Sequence, residues 1–240
     1  MAGLGTLINV GGVLLGGFGG LLCGKRLGKN VQDTLMGVVG VCVLFLGISG
    51  ALEQMLSIDK GALKSGGTMM MIASISIGAV IGELLNIEGR FEQFGEWLKR
   101  ITKNHGDPPF VDGFVTTSLV ICVGAMAVIG AVTDGLTGDY SILAAKAVLD
   151  MIIVLVMTAS KGKGCIFSAV PIFLFQGLIT LFARFIEPVM TDQALANLSL
   201  TGSVLIFCVG LNLVWGKKIK VGNLLPAIVI AVIWAFLPFE

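Results

Sequence analysis

Apolar residues in this chain gather into eight long runs, at roughly residues 4 to 23, 34 to 52, 68 to 86, 110 to 132, 141 to 160, 164 to 185, 201 to 216 and 222 to 238. Polar residues collect between them. A helix rising about 1.5 Å per residue needs ~20 residues to cross a hydrocarbon core ~30 Å thick, so each run predicts a membrane-spanning helix. One stretch differs in kind. In IEGRFEQFGEWLKRITK, residues 87 to 103, Ile87, Phe91, Phe94, Leu98 and Ile101 recur at helical spacing opposite Glu92, Glu96, Lys99, Arg100 and Lys103. That two-faced pattern predicts a helix lying on the cytoplasmic membrane surface, and HGDPP breaks it before the fourth span. The pattern as a whole predicts an all-α, polytopic transmembrane bundle: one integral-membrane domain over residues 1 to 240, with an interfacial helix at 87 to 103.

Charge then orients the spans. Lys25, Arg26 and Lys29 follow span 1; Arg90, Lys99, Arg100 and Lys103 follow span 3; Lys161 and Lys163 follow span 5; Lys217, Lys218 and Lys220 follow span 7. The opposite loops hold only Lys60, Lys64 and Arg184, and Lys146 stands inside span 5. By the positive-inside rule the first set of loops faces the cytoplasm and both termini face outward. MAGLGTLINVGG lacks the basic start of a cleaved signal peptide, so it reads as a retained first span.

Composition agrees. Charged residues are 13% of the chain, the hydrophobic share is 55% and the mean hydropathy is +0.97, too apolar for a soluble domain to bury. A net charge of +1 argues against a nucleic-acid partner. Cys23, Cys42, Cys122, Cys165 and Cys208 all fall within or beside apolar runs, with no CxxC pair to suggest a metal. No cofactor is implied.

Two internal regularities stand out. Cys-Val followed eight positions after the cysteine by glycine occurs at Cys42 with Gly50, Cys122 with Gly130, and Cys208 with Gly216. Spans 2 and 4 run outward while span 7 runs inward, so the hairpin of spans 6 and 7 is inverted relative to the earlier ones, with span 5 as the inverting element. Inverted repeats are a recurrent construction of secondary transporters; the limited composition of apolar helices is the other source of such likeness. Glycines also form stripes: Gly12, Gly16, Gly20 and Gly24 on span 1, Gly78 and Gly82 on span 3. Such faces let helices approach closely, within one subunit or between the subunits of a homo-oligomer.

A charge at mid-membrane costs ~2.5 to 3.5 kcal/mol on insertion scales and is by default a functional candidate. Span 5 holds Asp150 near its centre and Lys146 one turn outward. If that helix runs on from the outer loop, Asp139, Lys146, Asp150 and Lys161 share one stripe that would line a route through the protein. A buried ion pair that only fixes packing is the alternative. Glu83 lies in the inner third of span 3, within reach of the headgroups. Asn9, Gln176 and Asn212 are uncharged polar groups at depth, suited to interhelical hydrogen bonds or to a ligand. Pro171 removes a backbone donor in span 6 and predicts a kink that frees a carbonyl.

Enzymatic readings find little support. GISG at Gly47 to Gly50 resembles the serine element of rhomboid intramembrane proteases, but those need a histidine on a second span, and His105 falls in a loop. There is no HExxH, P-loop or paired-histidine metal site. The expectation is a non-enzyme without a metal centre.

INVGGVLLGGFGGLLCGKRLGKN at the start, GDYSILAAKAVLD leading into span 5 and FSAVPIFLFQG in span 6 resemble the bacterial inner-membrane family of YqgA and YdfK, a family of unknown function. The resemblance covers nearly the whole chain and implies a bacterial, multi-pass transport protein without naming a substrate. Taken together, the expectation is a secondary transporter for a small polar solute or ion, with the lipid bilayer as its surroundings. Asp150 would be the coupling carboxylate, Lys146 its partner and the polar groups of spans 3 and 6 the second wall. A channel, or a membrane scaffold that binds a partner through the interfacial helix, are the competing classes.

Overall fold

The structure, a computed structural model, describes residues 2–24, 26–59, 61–104 and 109–238. Lys25 and Lys60 of the charge pattern, and His105 with most of the expected HGDPP break, lie outside the described residues.

The chain folds as an all-α bundle. The first two apolar runs form α1, Leu4–Gly24, and α2, Lys29–Met55. A short antiparallel hairpin follows, β1, Leu56–Asp59, paired with β2, Ala62–Ser65. Gly61 supplies its turn with φ +79°, a conformation that only glycine adopts freely. Next come α3, Thr68–Leu85, and the amphipathic α4, Ile87–Ile101, joined through the single left-handed residue Asn86. The fourth apolar run is not one helix. It divides into α5, Phe110–Cys122, and α6, Ala125–Thr137, bent by 63° at Val123 and Gly124.

The chain continues through α7, Ser141–Lys161, a 3-10 turn at Lys163–Ser168 that runs into α8, Ala169–Leu181, and the short α9, Ala183–Ile186. The long α10, Asp192–Trp215, begins nine residues before the expected span because the Thr191 hydroxyl accepts from the Ala194 amide and caps it. A 3-10 turn, Val221–Leu224, and α11, Pro226–Trp234, finish the fold. Six of these segments are long and apolar enough to cross a membrane, and the bent α5–α6 pair makes a seventh. The expected eighth span is the shorter stretch Val221–Trp234.

Glycine faces set how the helices pair. On α1, Gly12, Gly16, Gly20 and Gly24 lie against the main chain of Ala147, Met151, Leu155 and Ala159 on α7, so the two helices run parallel with their backbones in contact. Gly78 and Gly82 of α3 meet Ala227 and Asn223, which brings α11 alongside α3 in antiparallel sense. Gly47 of α2 meets Phe207 of α10, and Gly210 of α10 meets Leu44 of α2. Both expected stripes therefore pack within the chain. By contrast, α1, α2 and α3 scarcely touch one another; beyond their chain neighbours, their partners come from the second half of the sequence.

The side that carries Lys161, Lys163, Lys217, Lys218 and Lys220 is called the basic side below. There α4 rests on α5, with Phe94 packed on Phe114 and Leu98 buried, while Trp97 and Ile101 stay exposed.

Candidate functional site

Polar side chains in the interior of an apolar bundle persist only where their hydrogen bonds are met. The densest such group lies where α1, α7 and α8 face the break between α5 and α6. Lys146 Nζ donates to Asp150 Oδ2 at 2.6 Å and to the Ile121 carbonyl at 2.8 Å. Both side chains are buried, with Asp150 only 3% exposed. The second bond explains why the helix can break. Ile121 is among the last residues of α5, and its carbonyl loses the partner a continuous helix would supply four residues on, so the lysine takes that place. Gly124, with φ +147°, is the residue that permits the turn.

One layer further from the basic side, Asn9 Nδ2 donates to Gln176 Oε1 at 3.2 Å. Asn9 also reaches the Asp150 carboxyl, which joins the amide pair to the ion pair. Both amides are fully buried, and Asn9 Oδ1 and Gln176 Nε2 have no hydrogen-bond partner among the described residues. Above them the Thr6 and Thr180 hydroxyls lie 3.4 Å apart, and Thr180 donates to the Ala131 carbonyl at 3.1 Å. Asp134, fully buried, accepts from the Gly3 and Gly5 amides at 3.1 and 3.0 Å and so caps the start of α1. A polar ladder thus descends from Asp134 through the threonines and the amide pair to Asp150 and Lys146.

From the basic side, a cavity of about 580 Å³ rises between α5, α10 and α2. Asp112, Lys161, Glu88, Glu92, Lys217 and Asn212 ring its lower part, and Leu119 marks how far it climbs along α5. Cys122, one turn beyond Leu119 on the same helix, lies within electrostatic reach of Lys146 and Asp150. The rim charges are paired: Lys161 with Asp112 at 2.5 Å, and Lys217 with both Glu88 and Glu92 at 2.7 and 2.6 Å. Partial burial alone would lower the Lys217 pKa, but its bonds to Glu88 and Glu92 outweigh that and hold it above the ordinary lysine value. Glu88 is buried as well, accepting from the Gly222 amide at 2.9 Å while its own amide donates to Asn223. Through this one residue α4 is tied to the turn before α11.

Four residues expected at the site, Lys146, Asp150, Asn9 and Gln176, come together. The others take separate places. Asp139 precedes α7 rather than extending it, lies exposed, and accepts from the Ser141 amide at 2.9 Å, a bond that holds its carboxyl below the usual range. Without a helix reaching that far, the four-residue stripe breaks up, and Lys161 belongs to the rim. Glu83 is exposed and bonded to Lys220 and Asn223 at 2.6 Å each. The Asn212 side chain closes the turn after α10, accepting from the Lys218 and Ile219 amides at 2.9 Å. Pro171 falls in the first turn of α8, where a helix has no use for the missing N–H, and the break lies in the preceding span instead. Asp134 and the 123–124 break were not singled out in the sequence; a glycine inside ICVGAMAV and an aspartate just past the apolar run were the signals available. Among the described residues no three His, Cys, Asp or Glu side chains are grouped to hold a metal.

The family described as "Protein of unknown function (DUF554)" matches residues 4–236. The chain belongs to that family. It is 30% identical over 226 residues, 94% of this chain and 93% of the relative, to "Uncharacterized membrane protein YdfK" of Bacillus subtilis (strain 168). It is 27% identical over 232 residues, 95% of this chain and 94% of the relative, to "Uncharacterized protein YqgA" of Escherichia coli (strain K12). No solved structure matches. With a relative named as a membrane protein and six helices of spanning length, this DUF554 chain is a multi-pass membrane protein.

Proposed function

We propose that the protein is a non-enzymatic secondary transporter that moves a small polar solute or ion across the bacterial cytoplasmic membrane. In this reading Asp150 is the coupling carboxylate and Lys146 its partner. The observation that carries it is the bond from Lys146 to Ile121: an intramembrane ion pair held against the carbonyl of a broken span, the arrangement that recurs where transporters bind ions. The cavity rising from the basic side to Leu119 supports access from that face, which the charge pattern makes cytoplasmic.

The register of helix packing supports the inverted-repeat part of the reading. Cys42 and Cys208 of the repeat are 166 positions apart, and so are Leu44 and Gly210, which touch where α2 and α10 cross. Asn9 and Gln176, bonded where α1 meets α8, are 167 apart. α3 is antiparallel to α11 and α2 crosses α10, while α1 packs chiefly on α7 and meets α8 at Asn9 and Gln176. In this reading the two halves would be related by a pseudo-two-fold axis in the membrane plane.

The test is flux. In vesicles reconstituted with purified protein, screened over inorganic ions, amines, amino acids and carboxylates, uptake saturates with one class of solute, and Asp150→Asn abolishes it. Full transport by a folded Asp150→Asn protein overturns the assignment, and non-saturating electrodiffusion turns the reading to a channel. Orientation has its own test: cysteine labels near Arg26, Lys99, Lys161 and Lys218 react together from the cytoplasmic side, and a split among them removes the inverted topology.

A further inference from the structure

The apolar stripe of α4 is largely spent inside the protein: Phe94 packs on Phe114, Leu98 is buried against α5, and Ile87 and Phe91 are half-buried. What the helix turns outward is a neighbouring strip. At about 100° per residue Trp97, Arg90 and Ile101 fall within roughly 40° of arc, with Arg100 beside them. All four are exposed, Trp97 by 52% and Ile101 by 59%. Trp97 is also held in place. Its ring stacks on Phe94 with centroids 5.5 Å apart, and Phe94 leans in turn on Phe114 of α5. A fixed indole, apolar in its body and polar at its N–H, suits the boundary between lipid headgroups and acyl chains.

Charge separates α4 from the rest of the basic side. Lys161, Lys217 and Lys220 are each bound to a carboxylate. Arg90, Lys99, Arg100 and Lys103 have neither an ion pair nor a side-chain hydrogen bond among the described residues, and Glu96 is the one carboxylate of α4 without a lysine on it. The chain also fixes the level at which these cations sit. Asn86 alone separates α4 from α3, a helix of spanning length whose last residues, Leu84 and Leu85, remain exposed. The start of α4 is thereby tied to the plane where that span leaves the lipid, and the counter-charges present there are headgroup phosphates.

We propose that this strip of α4 is a docking surface for the anionic phospholipid headgroups of the leaflet on the basic side. Trp97 and Ile101 enter the acyl boundary, Arg90 and Arg100 hold phosphate, and Lys99 and Lys103 add to the local positive potential. Arginine suits the task, since its planar fork takes two phosphate oxygens at once. The lipid then holds α4 from the membrane while the ion pairs of Lys217 with Glu88 and Glu92 hold it to the end of α10. The proposal stands apart from the transporter reading, and no solute is needed to test it.

The experiment uses the whole protein with Trp215→Phe and Trp234→Phe, so that Trp97 is its one tryptophan. It is reconstituted in phosphatidylcholine vesicles that carry brominated phosphatidylglycerol or, at the same mole fraction, brominated phosphatidylcholine. Bromine quenches an indole on contact. The expected result is that the anionic lipid quenches Trp97 with an apparent affinity about fivefold or more above that of the zwitterionic one, roughly what a single basic residue near an anionic surface contributes. Molar salt should shrink that preference, and Arg90→Gln with Arg100→Gln should remove most of it. Equal quenching by the two lipids at low salt overturns the proposal, whether or not the arginine variant folds, and so does a preference that the folded arginine variant keeps in full. Quenching by neither lipid overturns it as well, and turns this face of α4 toward a soluble partner.

Discussion

The mid-depth cluster on α7 and the basic rim use the same chemistry, lysine against carboxylate at 2.5 to 2.7 Å, in opposite surroundings. Lys146 and Asp150 are buried, whereas Lys220 and Glu83 are more than half exposed. A pair in water is screened and nearly neutral in its effect on stability, and a buried pair is held only as long as both members remain. The rim therefore acts as a set of latches, with Lys217, Glu88 and Glu92 tying α4 to the end of α10. The inner pair is instead a poised element, since removing or exchanging one charge changes the energy of everything packed on it.

The largest expected effect breaks this comparison on its buried side. Asp150→Asn should abolish flux while the protein still folds, because the asparagine amide oxygen can still accept from Lys146 and the lysine's bond to Ile121 is untouched. Lys146→Met leaves a lone buried carboxylate and should cost about 3 to 5 kcal/mol, read as loss of folded yield and of thermal stability. The double variant sharpens the point. Recovery of both stability and flux would show a pair that only neutralises itself; recovered folding with flux still absent is the expected outcome.

Next in size is Gly16→Leu on the α1 face that carries the cluster. Any Cβ at Gly16 meets the Met151 carbonyl oxygen, so a leucine must push α1 off α7 and reduce the folded fraction in size-exclusion chromatography. Unchanged folding would mean that the seam tolerates separation and is not the rigid support of the site.

At the rim, Glu88→Gln should lower thermal stability by about 1 to 3 kcal/mol while leaving flux measurable, since the buried carboxylate loses the charged half of its bond to Lys217. Lys220→Met should change stability least, and less still in high salt. The rim lysines also predict an alkaline limit. Their folded pKa values lie above the ordinary 10.5, Lys217 through Glu88 and Glu92 despite burial and Lys220 through its bond to Glu83. What they contribute is complete below 10.5 and is lost as pH climbs through the raised values, so melting temperature should fall in that window and not near neutrality.

The spans and the ion pair were legible in the sequence because each depends on composition at a single position or run. A lysine and an aspartate one turn apart in SILAAKAVLDMIIVL stand out wherever their helix goes. The break at Val123 and Gly124 was not legible, because ICVGAMAVIGA is apolar throughout and one glycine within it reads equally well as a packing residue. Asn9 and Gln176 were visible singly, but their bond depends on how α1 and α8 meet, which no local pattern encodes. Glu83 and Asn212 show the converse: polar groups near span ends were noticed for their depth, and their depth was decided by turns of a few residues, just as the start of α7 at Ser141 decided that Asp139 joins no stripe. The 56–65 hairpin escaped for a similar reason, its strands being four residues each.

The pairing of early helices with late ones also sets a schedule for assembly. Gly12 meets Ala147, 135 residues further along the chain, and Gly47 meets Phe207, 160 residues on. At synthesis rates of about 5 to 20 residues per second, α1 and α2 stand in lipid for roughly 7 to 32 seconds before their partners leave the ribosome. During that interval their glycine faces have no mate, and α3 waits likewise for α10 and α11, its Gly78 meeting Ala227 149 residues on. A nascent chain halted before α7 has α1 held to α6 through Asp134 and α4 set on α5, but none of the close glycine seams, so it is most exposed to membrane quality control in the first half of its synthesis.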